Sequence, residues 1–147
     1  LKLHGALANM ASEDEAMARA CYEAALSVDP ELIIMVLAAT AQEAAVKSLD
    51  CRWAGEIFAD RAYNDDATLV DRSKPGAVLH DPEIAGGRIV EMLEAGAIIT
   101  ESGKHIPTRI DTICLHGDSP SAVAMAAAVR ASLEGHDIAI SQFTGER

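Results

Sequence analysis

The sequence predicts an α/β fold built on a parallel sheet. Three observations predict it: short continuous apolar runs, stretches of helical length between them, and polar residues where the apolar runs end. Continuous rather than alternating runs are what a strand needs when both of its faces are buried. Half of the 147 residues are apolar, enough for a hydrophobic core, and residues 1–147 read as one domain.

Residues 1–3 read as the end of a strand and 4–11 as the loop that follows it. Ser12 with Glu15 three positions on forms a capping box, after which Ala16, Ala20, Ala24 and Val28 recur at helical spacing up to Pro30. Residues 32–37 form a buried strand, 41–49 a second helix and 53–58 a further strand. Residues 59–80 show neither period, and so long a loop in a compact domain is usually functional or mobile. Asp81 as N-cap, with Pro82 at the first helical position, starts a helix that ends at Gly96. Gly86 and Gly87 weaken it by about 1 kcal/mol each relative to Ala. Residues 97–100 and 104–108 flank Glu101-Ser102-Gly103 as a hairpin. A core strand at 110–115 follows. Ser119-Pro120 then starts a helix with Ala122, Ala126, Val129 and Leu133 on one face and Gly135 as its stop. Residues 138–140 begin a last strand.

A formal net charge of -11 argues against a nucleic-acid partner, since such proteins carry a basic face. No apolar run approaches the roughly 20 residues that span a bilayer, and the start is not a signal segment, so a cytoplasmic protein is expected. Cys21, Cys51 and Cys114 form no C-x-x-C pair and read as small apolar side chains. There is no Walker loop and no G-x-S-x-G elbow. The opening without Met, in what reads as a strand end, suggests the C-terminal part of a larger fold.

In parallel α/β folds the ligand groups sit at the C-terminal ends of the strands. Three segments carry polar residues there: Leu1-Lys2-Leu3-His4-Gly5, Ile57-Phe58-Ala59-Asp60-Arg61 and Ile113-Cys114-Leu115-His116-Gly117-Asp118. His4, Asp60 and His116 are therefore expected on one rim, converging on a common cleft. Asp118 either holds an imidazole, binds a metal or favours the start of the next helix. Arg61 and Arg72 offer planar forks for a carboxylate or phosphate, although an arginine beside acids is also commonly a surface ion pair. His105 and His136 read as structural or exposed.

The blocks LKLHGALAN, EIFADRAYNDDATLVDRSKPGAVLHDP and DTICLHGDSPSAVAMAAAVRASLEGHDIAI, in this order and spacing, resemble the second half of LamB/YcsF proteins. That resemblance implies a parallel-stranded partial (β/α)7 barrel of the glycoside hydrolase/deacetylase-like type. It also implies work as the A subunit of an ATP-dependent 5-oxoprolinase, opening 5-oxo-L-proline to L-glutamate with subunits B and C. The family's Lys-Pro-His-Gly stretch falls on Lys2, Leu3, His4 and Gly5, so its proline is replaced. Its Tyr-Asn falls on Ala8 and Asn9, so its tyrosine is replaced. The Glu56, Phe58, Asp60, Arg61, Tyr63 block and the His116, Gly117, Asp118 block are intact. The family's N-terminal half is absent from the sequence, and the chain alone is expected to be inactive.

On this reading His4, Asp60, His116 and Asp118 are the candidate catalytic residues, with Asp118 orienting His116 for proton transfer. Lys2, Arg61, Tyr63 and Arg72 are the candidate substrate-binding residues, with Lys2 and Arg61 on the substrate carboxylate. Two alternatives stand beside it. One is a metal-dependent, deacetylase-like hydrolase in which His4, His116 and an acid of the absent N-terminal half hold a divalent ion that activates water. The other is a regulatory binding protein with no chemistry of its own.

Overall fold

A computed structural model describes residues 1–118, 120–143 and 145. The elements run α1 (Gly5–Glu13), α2 (Glu15–Val28), β1 (Ile33–Leu37), α3 (Ala41–Lys47), β2 (Arg52–Phe58), α4 (Pro82–Ala95), β3 (Ala97–Ile99), β4 (His105–Pro107), β5 (Thr112–Cys114) and α5 (Ala122–Gly135). The main sheet is parallel in the order β1-β2-β5, and Lys2 extends it by a parallel bridge to Met35. β3 and β4 form the expected hairpin.

Register decides what each sheet face carries, because successive side chains point to opposite sides. Leu37, Glu56 and Thr112 lie side by side, as do Phe58 and Cys114, and Lys2 lies beside Met35. These residues share one face, the polar face. Ile34, Val36, Trp53, Ile57 and Ile113 point the other way. On that apolar face Ile34, Val36 and Trp53 join Tyr22 of α2 and Val46 of α3 in one cluster. Ile57 joins Ile89 and Met92 of α4 and Val129 and Leu133 of α5 in another.

Local capping follows the sequence in part. Asp81 accepts hydrogen bonds from the backbone N–H groups of Glu83 and Ile84, and Gly96 closes α4 in the left-handed conformation. Gly86 has a packing reason: a Cβ there would lie 2.4 Å from Ser132 Oγ, so its absence lets α4 approach α5. The residues expected as a loop at 4–11 instead form most of α1. Ser12 is not a cap. It is buried and donates to the carbonyl of Asn9, while Asp14 caps α2 by accepting from Met17 N–H.

The expected helix faces also shift. Ala16, Ala20, Ala24 and Val28 are exposed, and α2 buries Ala18 and Tyr22 instead. In α5 the buried stripe is Met125, Val129 and Leu133, with Ala126 exposed. Ser119, the expected start of that helix, lies outside the described residues. Residues 138–140 form no strand.

The segment 59–80 is neither helix nor regular strand, yet it is folded inward. Tyr63, Ala67, Val70 and Ala77 are fully buried, and antiparallel bridges join Arg61 to Val78 and Tyr63 to Leu69.

Candidate functional site

The C-terminal ends of β2 and β5 are neighbours, so the residues just beyond Phe58 and Cys114 meet. Asp60 and His116, separated by 56 residues in sequence, approach with His116 Nδ1 2.8 and 3.0 Å from the two carboxylate oxygens. The His116 ring stacks on Phe58 at 5.3 Å between centroids. A carboxylate on Nδ1 fixes the ring and favours the tautomer protonated there, which leaves Nε2 with the lone pair that can accept a proton. Both residues line a cavity of about 360 Å³, counted with its open mouth, together with Arg72, His80 and Asp118.

Phe58 also adjoins a second charged pair. The Lys2 ammonium lies 2.7 and 2.6 Å from the two oxygens of Glu56, 3.2 Å from Cys114 Sγ and 5.1 Å from the centre of the Phe58 ring. Glu56 is only 4% exposed. Burial alone would lower the Lys2 pKa, but the hydrogen bond and charge of Glu56, helped by Cys114, outweigh it and hold the ammonium above its ordinary range. The Cys114 thiol is pushed up by burial and by Glu56, against the pull of Lys2. Next to Glu56 in the register, Thr112 Oγ1 is buried without a hydrogen-bond partner among the described residues. Lys2, Glu56 and Phe58 line a second cavity of about 290 Å³ with Leu3, Asn9 and Gln42.

Residues 1–147 match the LamB/YcsF family along their whole length. The chain belongs to that family. The A subunit of a 5-oxoprolinase from Ruegeria pomeroyi is 66% identical over 143 residues, which cover 97% of this chain and 56% of that protein. The corresponding A subunit from Rhodopseudomonas palustris is 48% identical, over 99% of this chain and 57% of its own. The crystal structure of a lactam utilization protein from Thermus thermophilus superposes with a TM-score of 0.83 at 36% identity, over 97% of this chain and 56% of that one. The chain thus spans about half the length of the relatives it matches.

The LamB/YcsF blocks supply both charged pairs, but not in the roles expected for each residue. Asp60, not Asp118, holds His116; Asp118 instead faces Arg72 at 4.0 Å, both side chains well exposed. His4 is exposed at the entry to α1 and lines neither cavity, so it does not converge with Asp60 and His116. Among the described residues no three His, Cys, Asp or Glu side chains gather as a metal site.

Arg61 borders the first cavity, but its guanidinium is buried and donates to the carbonyls of Val70 and Ala77. Burial and the nearby charge of Arg72 both lower its pKa. It ties down the 59–80 segment, and the expectation of an open fork for a ligand is corrected. Tyr63 is fully buried, its phenol oxygen accepting from Phe58 N–H. It fixes the end of β2 and lines neither cavity, which corrects its placement as a substrate contact. Lys2 is also not an open cation for a carboxylate, because Glu56 already neutralises it. Of the four candidates, Arg72 alone keeps an exposed guanidinium beside His116.

Glu56 is the functional candidate that the sequence alone does not single out. A signal for it exists: a carboxylate inside the apolar run RWAGEIF cannot be buried without a partner. Its partner, Lys2, lies 54 residues away.

Proposed function

We propose that this chain supplies the proton-transfer part of the A subunit of an ATP-dependent 5-oxoprolinase. The enzyme would act in the cytoplasm with subunits B and C, opening 5-oxo-L-proline to L-glutamate. The observation that carries the reading is the Asp60–His116 pair at adjacent strand ends, beside Arg72 in one cavity. The names of the similar proteins, the A subunits of 5-oxoprolinases and a lactam utilization protein, support the same reaction class. We read residues 1–147 as one domain, with the parallel strands and the Lys2 bridge forming an arc of a (β/α)7 barrel.

The chemistry explains the parts. An unstrained lactam is a poor electrophile; ATP would supply the activation by phosphorylating the carbonyl oxygen and leaving as ADP, after which one water would open the ring to an acyl phosphate and a second would release inorganic phosphate and L-glutamate. His116, protonated on Nδ1 toward Asp60, takes a proton from the attacking water at Nε2 and returns one to the leaving ring nitrogen. Arg72 faces the anionic group of the substrate or of the transferred phosphate, where a guanidinium fork fits.

The test is 5-oxoproline-dependent ATP hydrolysis by the protein of full family length, with and without subunits B and C. Turnover should need 5-oxoproline and all three subunits. His116→Ala should lower it by about 10²–10⁴-fold, the usual contribution of general acid–base catalysis. ATP hydrolysis indifferent to 5-oxoproline would sink the reading, and a fully active His116→Ala enzyme would remove His116 from the mechanism.

A further inference from the structure

His80 lines the first cavity, and the proton-transfer reading gives it no task. Its backbone is pinned on both sides. Before it, an antiparallel bridge joins Val78 to Arg61 and the Leu79 N–H donates to the Asp60 carbonyl at 2.9 Å; after it, Asp81 is fixed as the cap of α4. The side chain is exposed and makes no hydrogen bond or ion pair with the described residues. A histidine whose backbone is held and whose ring is unengaged is presented to whatever fills the cavity. Its imidazole always offers at least one N–H donor.

Charge decides which group that donor meets. Arg72 faces Asp118 at 4.0 Å with both side chains well exposed, a pairing worth little, so Asp118 can turn to water and leave the guanidinium to a ligand. Asp60 is taken by His116, and Arg61 by the Val70 and Ala77 carbonyls. Of the described arginines in the cavity, Arg72 alone is therefore open, which suits a monoanion such as a carboxylate; a phosphate dianion needs a second cation. The lining also includes Val78, Leu79 and Met125, an apolar surface of the kind that takes methylene groups.

We infer that His80 is a further substrate-binding residue, donating beside Arg72 to the carboxylate of the cyclic amide, while the ring methylenes lie on Val78 and Leu79. In 5-oxoproline the carboxylate sits on the carbon next to the ring nitrogen. Holding it at His80 and Arg72 therefore brings that nitrogen and the carbonyl carbon to His116 in the same cavity. His80 thereby selects for the carboxylate and aims the amide. This assignment rests on the cyclic-amide reading above.

The probes are 5-oxoproline and 2-pyrrolidinone, the same ring without the carboxylate, each titrated calorimetrically into the full-length protein with its partner subunits. The wild type should bind 5-oxoproline the more tightly. His80→Ala should weaken 5-oxoproline by about fivefold or more and 2-pyrrolidinone by less than about twofold, the loss of one hydrogen bond to a charged group. His80→Gln keeps an N–H donor and should recover most of that loss, which a merely structural role would not give. If His80→Ala leaves 5-oxoproline within about twofold, or weakens both rings alike, while the wild type turns over 5-oxoproline, the inference is overturned and the function stands. If the wild type binds neither ring and its ATP hydrolysis ignores 5-oxoproline, both are overturned.

Discussion

The two faces of the β1-β2-β5 sheet are built from alternate residues of the same strands and do opposite jobs. The apolar face is closed by α2 and α3 at one side and by α4 and α5 at the other, and its contacts are Ile34, Val36, Trp53 and Ile57 against helix side chains. The polar face carries Lys2, Glu56 and Cys114 in contact, and the chain beyond its strand ends carries Asp60 and His116. A charge pair held in a partly buried place is a weak source of stability, because the cost of desolvation offsets much of the attraction. On the proposed function, the apolar face holds the fold and the polar face is kept for chemistry. Substitutions should sort accordingly.

The largest stability effect belongs to the apolar face. Ile57→Ala removes a fully buried side chain from the contact with α4 and α5, and should destabilise the full-length protein by about 2–5 kcal/mol in urea unfolding. A loss as small as that of a surface substitution would show that the helices do not depend on this face.

Arg61 sharpens the comparison, because it lies near the polar site but acts on the fold. Arg61→Lys keeps the charge and loses the fork that holds the Val70 and Ala77 carbonyls. The expected cost is about 1–3 kcal/mol, with the affinity for 5-oxoproline falling less than in Arg72→Gln. Unchanged stability with a large loss of affinity would return Arg61 to the ligand.

Glu43 gives the smallest and most gradual effect. Burial favours its neutral form, but hydrogen bonds from Lys47, Ala39 N–H and Thr108 outweigh that and hold its pKa below the ordinary 4.5. A carboxylate whose pKa is lower in the folded state contributes stability above its unfolded pKa and loses it as pH falls through the folded one. The urea midpoint should therefore fall as pH drops below about 4.5, and Glu43→Gln should flatten that dependence. An identical acid profile in the variant would contradict the assignment.

How much is legible in the sequence follows from how local each signal is. The cap Asp81-Pro82 and the apolar runs of β1, β2 and β5 are local, and the structure has them where the residues suggest. The face of α2 is not, because in an alanine-rich helix Ala16, Ala20 and Ala24 look as apolar as Ala18, and only Tyr22 marks the buried side. α1 escapes notice because no side-chain cap announces it. Asp60, His116 and Arg72 can be picked out singly as polar residues at strand ends or in the long loop. Which of them pair cannot, since both charged pairs join residues more than fifty positions apart. Sequence nearness points to Asp118 for His116, whereas strand adjacency in the sheet delivers Asp60.

The most direct test of the claim that the polar face is kept for chemistry is Asp60→Asn in the full-length protein with its partner subunits. The amide keeps the shape but no longer fixes the His116 tautomer or balances its charge. The account predicts a fall in 5-oxoproline-dependent turnover of about 10²-fold or more, with thermal stability changed by less than about 1 kcal/mol. Turnover close to wild type, or a protein that loses its fold with its activity, would contradict it.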